Sequence, residues 1–491
     1  MFIQSRSIGG AMNRNRKIYV LDTNMFVYNP EVVDELEDNV IVVPFWVLEE
    51  LDGLKRSKPQ LAYAVRRASR NLEKYRLVGL QTGKFLTDGI PTENGGLLIF
   101  DHNAIDLKEL VYLDRDTVDN RVLRVAKHWQ QREEKEHKTR PDSTGPRPVI
   151  VLSKDINVRI KASACEITAE DWQRDRLVKS VEDIYSGILD LELAPDQEGL
   201  LTTLYSEHSN GGIDMSSLGS TIDGIDIMPN QGVRLSWRNS PGSEPKTGLA
   251  IYKQDQQKLV PVRKPRPKDD DWKNQIRPIN WEQAIAYSLL VDTSIDLVTL
   301  TGVPGTGKTL MALLAGYNLV KKGLYKRILV WRPTQVVGKD LGYYPGTLEE
   351  KFAPYARPVV RAFQKVAQDS DLESGTSHVD YDKGTIVSNL ISVEPILHIK
   401  GSTEDDTFLI IDEVQDMTPK EVRAMITRAG HNTKMVLTGD VEQIDNDYLD
   451  GVSNGLTYTT TCWVDSVRSG HITLVTPERS PFVEEVVRRM K

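Results

Sequence analysis

At 491 residues, 39% hydrophobic and 27% charged, the chain is long enough for about three domains of ~150 residues and can bury full cores. Lys and Arg total 62 against 70 Asp and Glu, so the net charge of −8 excludes a histone-like polycation and confines any nucleic-acid contact to a local basic patch. The two cysteines, Cys165 and Cys462, exclude a disulfide framework or a cysteine zinc site and fit a reducing cytoplasm, the expected location.

Residues 1–16 are basic, lack the apolar core of a signal peptide and are expected to form a flexible arm, with Met12 a second candidate start. The longest apolar stretch, Val40 to Leu48, is broken by Pro44 and falls far short of the ~20 residues of a membrane span, so no membrane partner is expected. From 17 to 190 strands alternate with helices: strands at 17–21, 40–43 and 148–152 and a helix at 61–78 imply a parallel sheet. The charged segment 131–148 reads as a loop. From 191 to 276 short apolar runs at 232–237 and 249–252 alternate with Gly, Asn, Pro and Ser clusters, which predicts a small β-rich connector. It ends in a basic, proline-extended stretch at 258–268. From 277 to 491 the α/β pattern returns.

Residues 296–314, DLVTLTGVPGTGKTLMALL, read as a strand, a glycine loop and a helix start. Gly302, Gly307, Lys308 and Thr309 fill G-x-x-x-x-G-K-[ST], with Val303, Pro304, Gly305 and Thr306 between them and Leu310 following. Backbone N–H groups and the helix N-terminus would cradle the phosphates of ATP. Lys308 would reach the β/γ-phosphates and the Thr309 hydroxyl would hold Mg²⁺. A strand at 408–411 ends in Asp412, an expected Mg²⁺ ligand through water, and Glu413, expected to polarise the attacking water. Gln443, after a third strand at 435–440, could sense the γ-phosphate. Arg479 offers a planar cation to the transferring phosphoryl group. Gln283 is a candidate reader of adenine, with a helix-cap role as its alternative. Residues 302–491 are too short for two P-loop lobes, so the closing surface should come from a neighbouring subunit in a ring, with Arg479 acting in cis or across.

In the first block Asp22 ends a strand, Glu50 lies on the helix after the next strand, Asp119 opens a helix and Asp155 follows a strand. Strand C-termini of a parallel sheet gather on one edge, so the four acids can converge. Their mutual repulsion favours one or two Mg²⁺ or Mn²⁺ ions, which can activate water against a phosphodiester. Each acid taken alone could equally be a helix cap. Between Lys55 and Arg76 the only acid is Glu73, so Arg56, Arg66, Arg67, Arg70 and Lys74 offer a phosphate-backbone surface, a solvated helix face being the alternative. Tyr63, Tyr75 and Trp331 are candidate platforms for single-stranded bases, and Arg332 a further nucleic-acid contact.

Together these motifs resemble the PIN–PhoH fusion proteins. The N-terminal likeness rests on LDTN (21–24), VLEELDGLK (47–55), DNRVL (119–123) and LSKDINVRIKA (152–162). The C-terminal likeness rests on TGVPGTGKT (301–309), RPTQVVGKDLGYYPGTLEEK (332–351), DEVQDMTPKEV (412–422), TRAG (427–430), TGDVEQID (438–445), SNGL (453–456) and ERS (478–480). The chain departs from the family at 399–403, IKGST, where relatives tend to carry Arg-Gly-Arg, and at Trp331, where a smaller polar residue is usual. The resemblance implies an α/β chain: a PIN-like parallel-sheet domain, a small β-rich connector and a single RecA-like P-loop NTPase domain. It also implies a Mg²⁺-dependent ribonuclease using Asp22, Glu50, Asp119 and Asp155, coupled to ATP-driven RNA unwinding or translocation by a homo-hexameric ring. Single-stranded RNA is the expected partner, with DNA left open. An RNA-binding remodeller with a non-cleaving PIN domain is the alternative, and any antitoxin-like partner would lie outside this chain.

Overall fold

The computed structural model describes residues 16–57, 61–103, 116–139, 145–172, 177–206, 211–240, 243–262, 276–333, 348–367, 378–380, 385–387, 390–396, 403–446, 448–478, 485 and 489. The chain divides into two compact units, 1–174 and 175–491.

In the first unit β1 (Ile18–Leu21), β2 (Val40–Pro44), β3 (Ile90–Pro91), β4 (Leu97–Asp101), β5 (Val149–Leu152) and β6 (Thr168–Glu170) form one sheet in the order β3-β4-β2-β1-β5-β6. Every pairing is parallel except β3 with β4. Strands β2 and β5 are buried end to end, as continuous Val/Ile runs require when both sheet faces are covered. The helices are α1 (Thr23–Tyr28), α2 (Val32–Glu35), α3 (Phe45–Ser57), α4 (Ala62–Gln81), α5 (Val118–Thr139) and α6 (Ile156–Ala164). Because β1 lies between β2 and β5, Asp22 leaves the middle of the sheet's C-terminal edge, and Asp155 leaves the neighbouring strand.

Two expectations for this unit need correction. The segment expected as a loop from 131 is helical through Thr139, because its charges pair: Arg132 meets Glu136 at 3.0 Å one turn on, and Arg147 grips the buried Glu133 at 2.8 Å. Residues 140–144 lie outside the described residues. Tyr75 is 1% exposed and its hydroxyl donates to Asp34, so it is a core residue and offers no stacking platform. The Tyr63 side chain lies outside the described residues.

In the second unit β7 (Ile188–Glu192), β8 (Ile213–Asp214), β9 (Gly232–Trp237), β10 (Lys246–Lys253) and β11 (Lys258–Pro261) pair in the order β7-β9-β10-β11-β8, alongside α7 (Glu198–Leu204). This middle sheet shares a core with α8 (Trp281–Val291). Leu249, Ile251 and Val262 pack with Ile285 and Leu289 of that helix, and Asn230 Nδ2 donates to the Val467 and Ser469 carbonyls at 2.9 and 2.8 Å. The sheet is therefore built into the same compact unit as the P-loop. Residues 263–268 of the basic stretch lie outside the described residues.

The P-loop sheet contains β12 (Leu297–Gly302), β13 (Arg327–Arg332), β16 (Ile391–Pro395), β17 (Thr407–Ile411), β18 (Lys434–Gly439) and β19 (Ser469–Leu474), while β14 (His378–Asp380) and β15 (Thr385–Val387) form a separate antiparallel pair. Its order is β16-β13-β17-β18-β12-β19, all parallel. The remaining helices are α9 (Lys308–Lys321), α10 (Leu348–Val366), α11 (Pro419–Ile426) and α12 (Gly455–Cys462). Trp331 has 0% exposure and packs with Ile411, Val414 and Met417, so it fills the core and presents no stacking face. No described helix is long and apolar enough to cross a membrane.

Candidate functional site

Strand β12 runs into a loop whose Gly302, Gly305 and Gly307 have φ of 143°, 86° and 93°. A Cβ on Gly302 would stand 2.0 Å from the Leu474 carbonyl oxygen, so this position excludes every larger residue. Gly307 caps α9 without a side chain, leaving the first helical N–H groups to face an anion. Lys308 Nζ lies across the loop, donating to the carbonyls of Gly302 and Val303. Thr306 is buried and its hydroxyl donates to Val303 O at 3.0 Å.

Gln283 is buried and bonded at both ends: Nε2 donates to Thr306 O at 3.0 Å and Oε1 accepts from Ile279 N at 3.1 Å. It braces the loop from behind rather than presenting an edge to a base. Its neighbour Glu282 accepts from Val475 N at 2.8 Å and Thr476 N at 3.0 Å, and Glu478 N donates to Gly305 O at 3.0 Å. The chain after β19 is thus tied to the phosphate loop up to Glu478. Arg479 lies outside the described residues.

Asp412 follows β17 and is 5% exposed. Its Oδ1 accepts from Thr309 Oγ1 at 3.2 Å and from Thr438 Oγ1 at 2.5 Å, while Arg332 Nε stands 3.6 Å from Oδ2. Strand β18, interposed between β12 and β17, supplies Thr438. Burial pushes the Asp412 carboxyl above the usual carboxylate range, and the Arg332 charge pulls against that. Glu413 sits in the left-handed region at φ 57°, a costly conformation for a non-glycine residue and one concentrated at functional sites. Its Oε1 accepts from Arg332 Nη2 at 2.6 Å and its Oε2 from Gln415 Nε2 at 3.0 Å. Arg332, expected on a nucleic-acid face, therefore stands at the two acids, and its Nη1 donates to Tyr355 O at 2.7 Å.

Sequence reasoning missed Gln415. It is buried, and besides Glu413 it joins Gln443 O at 3.0 Å and Asp440 N at 3.1 Å. Gln443 contributes this carbonyl, and its side chain is exposed. The available signal was an amide two residues past the acid pair, at the strand end. Asp416 beside it is pushed up to about 6 by burial.

In the first unit Asp22 is 2% exposed and caps α1. Its Oδ1 accepts from Thr23 N at 2.7 Å, and its Oδ2 from Asn24 Nδ2 at 2.6 Å and Ser153 Oγ at 2.7 Å. All three donors are neutral. Burial lifts the Asp22 carboxyl from an ordinary 3.8 to about 7; the charges of Asp119 and Glu50 push the same way, and the Ser153 and Thr23 bonds oppose it. Thr23 Oγ1 donates to Glu50 Oε2 at 2.5 Å, and Lys161 Nζ stands 3.5 Å from Asp119 Oδ2. Asp155 caps α6, its carboxylate accepting from Asn157 N at 2.7 Å while its own N–H donates to Ser153 Oγ at 3.0 Å. The structure thus makes Asp22, Glu50 and Asp119 electrostatic neighbours and ties Asp155 to them through one hydroxyl. Ser153, the hub, was not singled out from sequence, although it lies within LSKD. Among the described residues no three His, Cys, Asp or Glu side chains stand close enough to hold a metal ion as they are. The chemistry of the set nonetheless suits a hard cation: all-oxygen donors, buried like charge and neutral hydrogen-bond partners.

Arg66, Arg67, Arg70 and Lys74 all lie on α4. Arg67 pairs with Glu31, and Lys74 with Glu93 at 2.6 Å and Asp34 at 3.9 Å. Arg66 and Arg70 are exposed, with no carboxylate partner among the described residues. The Arg56 side chain lies outside the described residues.

Residues 275–491 match the family described as PhoH-like protein, and residues 19–173 match the PIN domain family, which ends short of the expected 190. Protein PhoH2 of Bacillus subtilis (strain 168) is 35% identical over 471 residues, covering 95% of this chain and 98% of that protein. Protein PhoH2 of Thermobispora bispora is 28% identical over 480 residues, covering 97% of each chain. A PhoH-like protein of Bacillus subtilis is 37% identical over 161 residues, 33% of this chain and 47% of its own length.

Proposed function

Since the chain belongs to the family of PhoH2 proteins and itself carries a PIN domain and a PhoH-like domain, we propose that it is an ATP-dependent RNA helicase or translocase joined to a metal-dependent ribonuclease. The observation that carries the ATPase half is the 3.2 Å bond from Thr309 Oγ1 to Asp412 Oδ1, which brings the end of the phosphate loop to the acid of another strand 103 residues away. Mg²⁺ held by Thr309 and Asp412 would neutralise the β- and γ-phosphates, and Mg²⁺ or Mn²⁺ held by Asp22, Glu50, Asp119 and Asp155 would supply a water of lowered pKa.

The protein groups do the rest. Loop N–H groups at 302–309 and Lys308 fix the phosphates, and Glu413 orients the attacking water. Arg479 would stabilise charge on the transferring phosphoryl group, in cis or across a hexameric ring. In the PIN unit Ser153, Thr23 and Asn24 hold Asp22 with both oxygens defined, while Arg66 and Arg70 take the phosphate backbone of single-stranded RNA. The work is cytoplasmic, and DNA is the competing polymer. A second reading, an ATP-driven remodeller whose PIN unit grips RNA without cutting it, is favoured by the Asp155 carboxylate serving as a helix cap.

The test is ATP hydrolysis with and without RNA, run beside cleavage of labelled RNA in Mg²⁺ and in Mn²⁺. RNA-stimulated turnover with cleavage in either metal is expected. Turnover without cleavage selects the remodeller, stimulation by DNA alone changes the polymer, and no turnover removes the ATPase assignment.

A further inference from the structure

Glu413 orients a water only if a carboxylate lone pair is aimed at it, and the bonds from Arg332 Nη2 at 2.6 Å and Gln415 Nε2 at 3.0 Å, one to each oxygen, fix where the carboxylate faces. These two donors are not equally fixed. Gln415 is bolted to the end of β18 through Asp440 N and Gln443 O. Arg332 is held on its other side by the carbonyl of Tyr355, on α10.

Helix α10 connects this guanidinium to the surface. Pro354 and Pro358 lie inside it, and Pro358 cannot return a hydrogen bond to the carbonyl one turn back. Its inner face, Phe352, Ala356, Val359 and Phe363, packs in the main core. Its outer face carries Arg357, Arg361 and Lys365, all exposed and four residues apart, a rise of about 6 Å per step. The acids of this helix, Glu349 and Glu350, lie in its first turn. On a chain of net charge −8, the exposed Arg361 and Lys365, one turn apart on this face, are complementary to a polyanion.

We propose that the outer face of α10 docks the phosphate backbone of a single-stranded nucleic acid, and that the Tyr355–Arg332–Glu413 link reports this occupancy to the ATP site. Arg332 is a positioning residue: it holds Glu413 back until a strand draws α10, and with it the guanidinium, away. By reciprocity the nucleotide state changes affinity for the strand through the same link. This inference rests on the ATPase reading of the P-loop unit.

The experiment uses the full chain and measures ATP hydrolysis against a titration of polyuridylate. The double variant Arg361→Glu/Lys365→Glu, referred to its own strand-free rate, is expected to need at least ~10-fold more strand for half-maximal stimulation and to show a shallower salt dependence. Arg332→Gln is expected to raise strand-free kcat several-fold at unchanged KM for ATP, bringing the stimulation ratio towards one. Arg332→Lys, which keeps the charge but loses the fork, should fall between. The inference is overturned if the double variant responds at the same strand concentration as the unaltered chain. It is equally overturned if Arg332→Gln lowers turnover alike with and without strand. Should the unaltered chain hydrolyse ATP without responding to the strand, this inference falls together with the RNA-driven part of the proposed function while the ATPase reading stands; should it hydrolyse none, the ATPase reading falls first.

Discussion

Asp22 and Asp412 are both buried carboxylates placed directly after a parallel strand, yet they are solvated by the protein in opposite ways. Asp412 has two hydroxyl donors and a guanidinium 3.6 Å from Oδ2. Asp22 has three neutral donors, and its charged neighbours Asp119 and Glu50 repel it. The contrast shows what each centre needs. The Asp412 cluster carries its own counter-charge, so control there means removing an arginine. Among the described residues no such cation stands beside Asp22, and burial lifts its carboxyl to about 7, so an external cation would compete with a proton there.

The largest expected effects separate the two centres. Lys308→Ala should lower ATP turnover at least ~100-fold while leaving cleavage of unstructured RNA within a factor of about two, and Asp22→Asn should do the reverse. Both assays on both variants check this; one substitution that silences both activities would erase the distinction between the centres.

A second prediction concerns pH. The native Asp22 carboxyl holds its proton to about 7, whereas the unfolded chain releases it near 3.8. Between those values the unfolded state binds fewer protons, so the metal-free protein loses stability as pH rises, by at most about 1.4 kcal/mol per unit from this group. Urea unfolding of the N-terminal unit in chelator, followed by hydrogen exchange at β1, should show this slope. Asp22→Asn should abolish it and be the more stable protein at pH 8.

A smaller effect is expected at the hub. Ser153→Ala removes one of the bonds that lower the Asp22 pKa, so the acidic limb of the cleavage–pH profile should move upward and the rate at pH 7 should fall roughly 10-fold. An unchanged profile would mean that Ser153 only fills space. Smallest is Gln283→Ala, which unties Thr306. It should raise KM for ATP a few-fold with kcat nearly kept, whereas a base-reading glutamine would lose discrimination between ATP and GTP.

Much of this was legible in the sequence because it is local. The continuous Val/Ile runs of β2 and β5 announced a sheet buried on both faces, and the glycine loop fixed β12 and α9 in one stroke. The acids at strand ends were legible for the same reason, each following its own strand or opening its own helix. Less visible was what depends on partners distant in sequence. Ser153 matters because it meets Asp22 131 residues away, and Arg332 left the nucleic-acid surface because its partner Glu413 lies 81 residues on. Aromatic type alone could not tell a platform from a core residue: Tyr75 and Trp331 look adhesive in sequence and are buried in the fold. The charged start of the 131–148 segment read as a loop because its pairing within a helix has no apolar period to reveal it.

The most direct measurement is calorimetric titration of Mn²⁺ into the full chain without nucleotide at pH 6.5, below the Asp22 value of about 7, in the unaltered protein, Asp22→Asn and Lys308→Ala. Binding that releases protons in the unaltered protein and in Lys308→Ala but is lost in Asp22→Asn is the expected result. Identical isotherms for Asp22→Asn and the unaltered protein would contradict it.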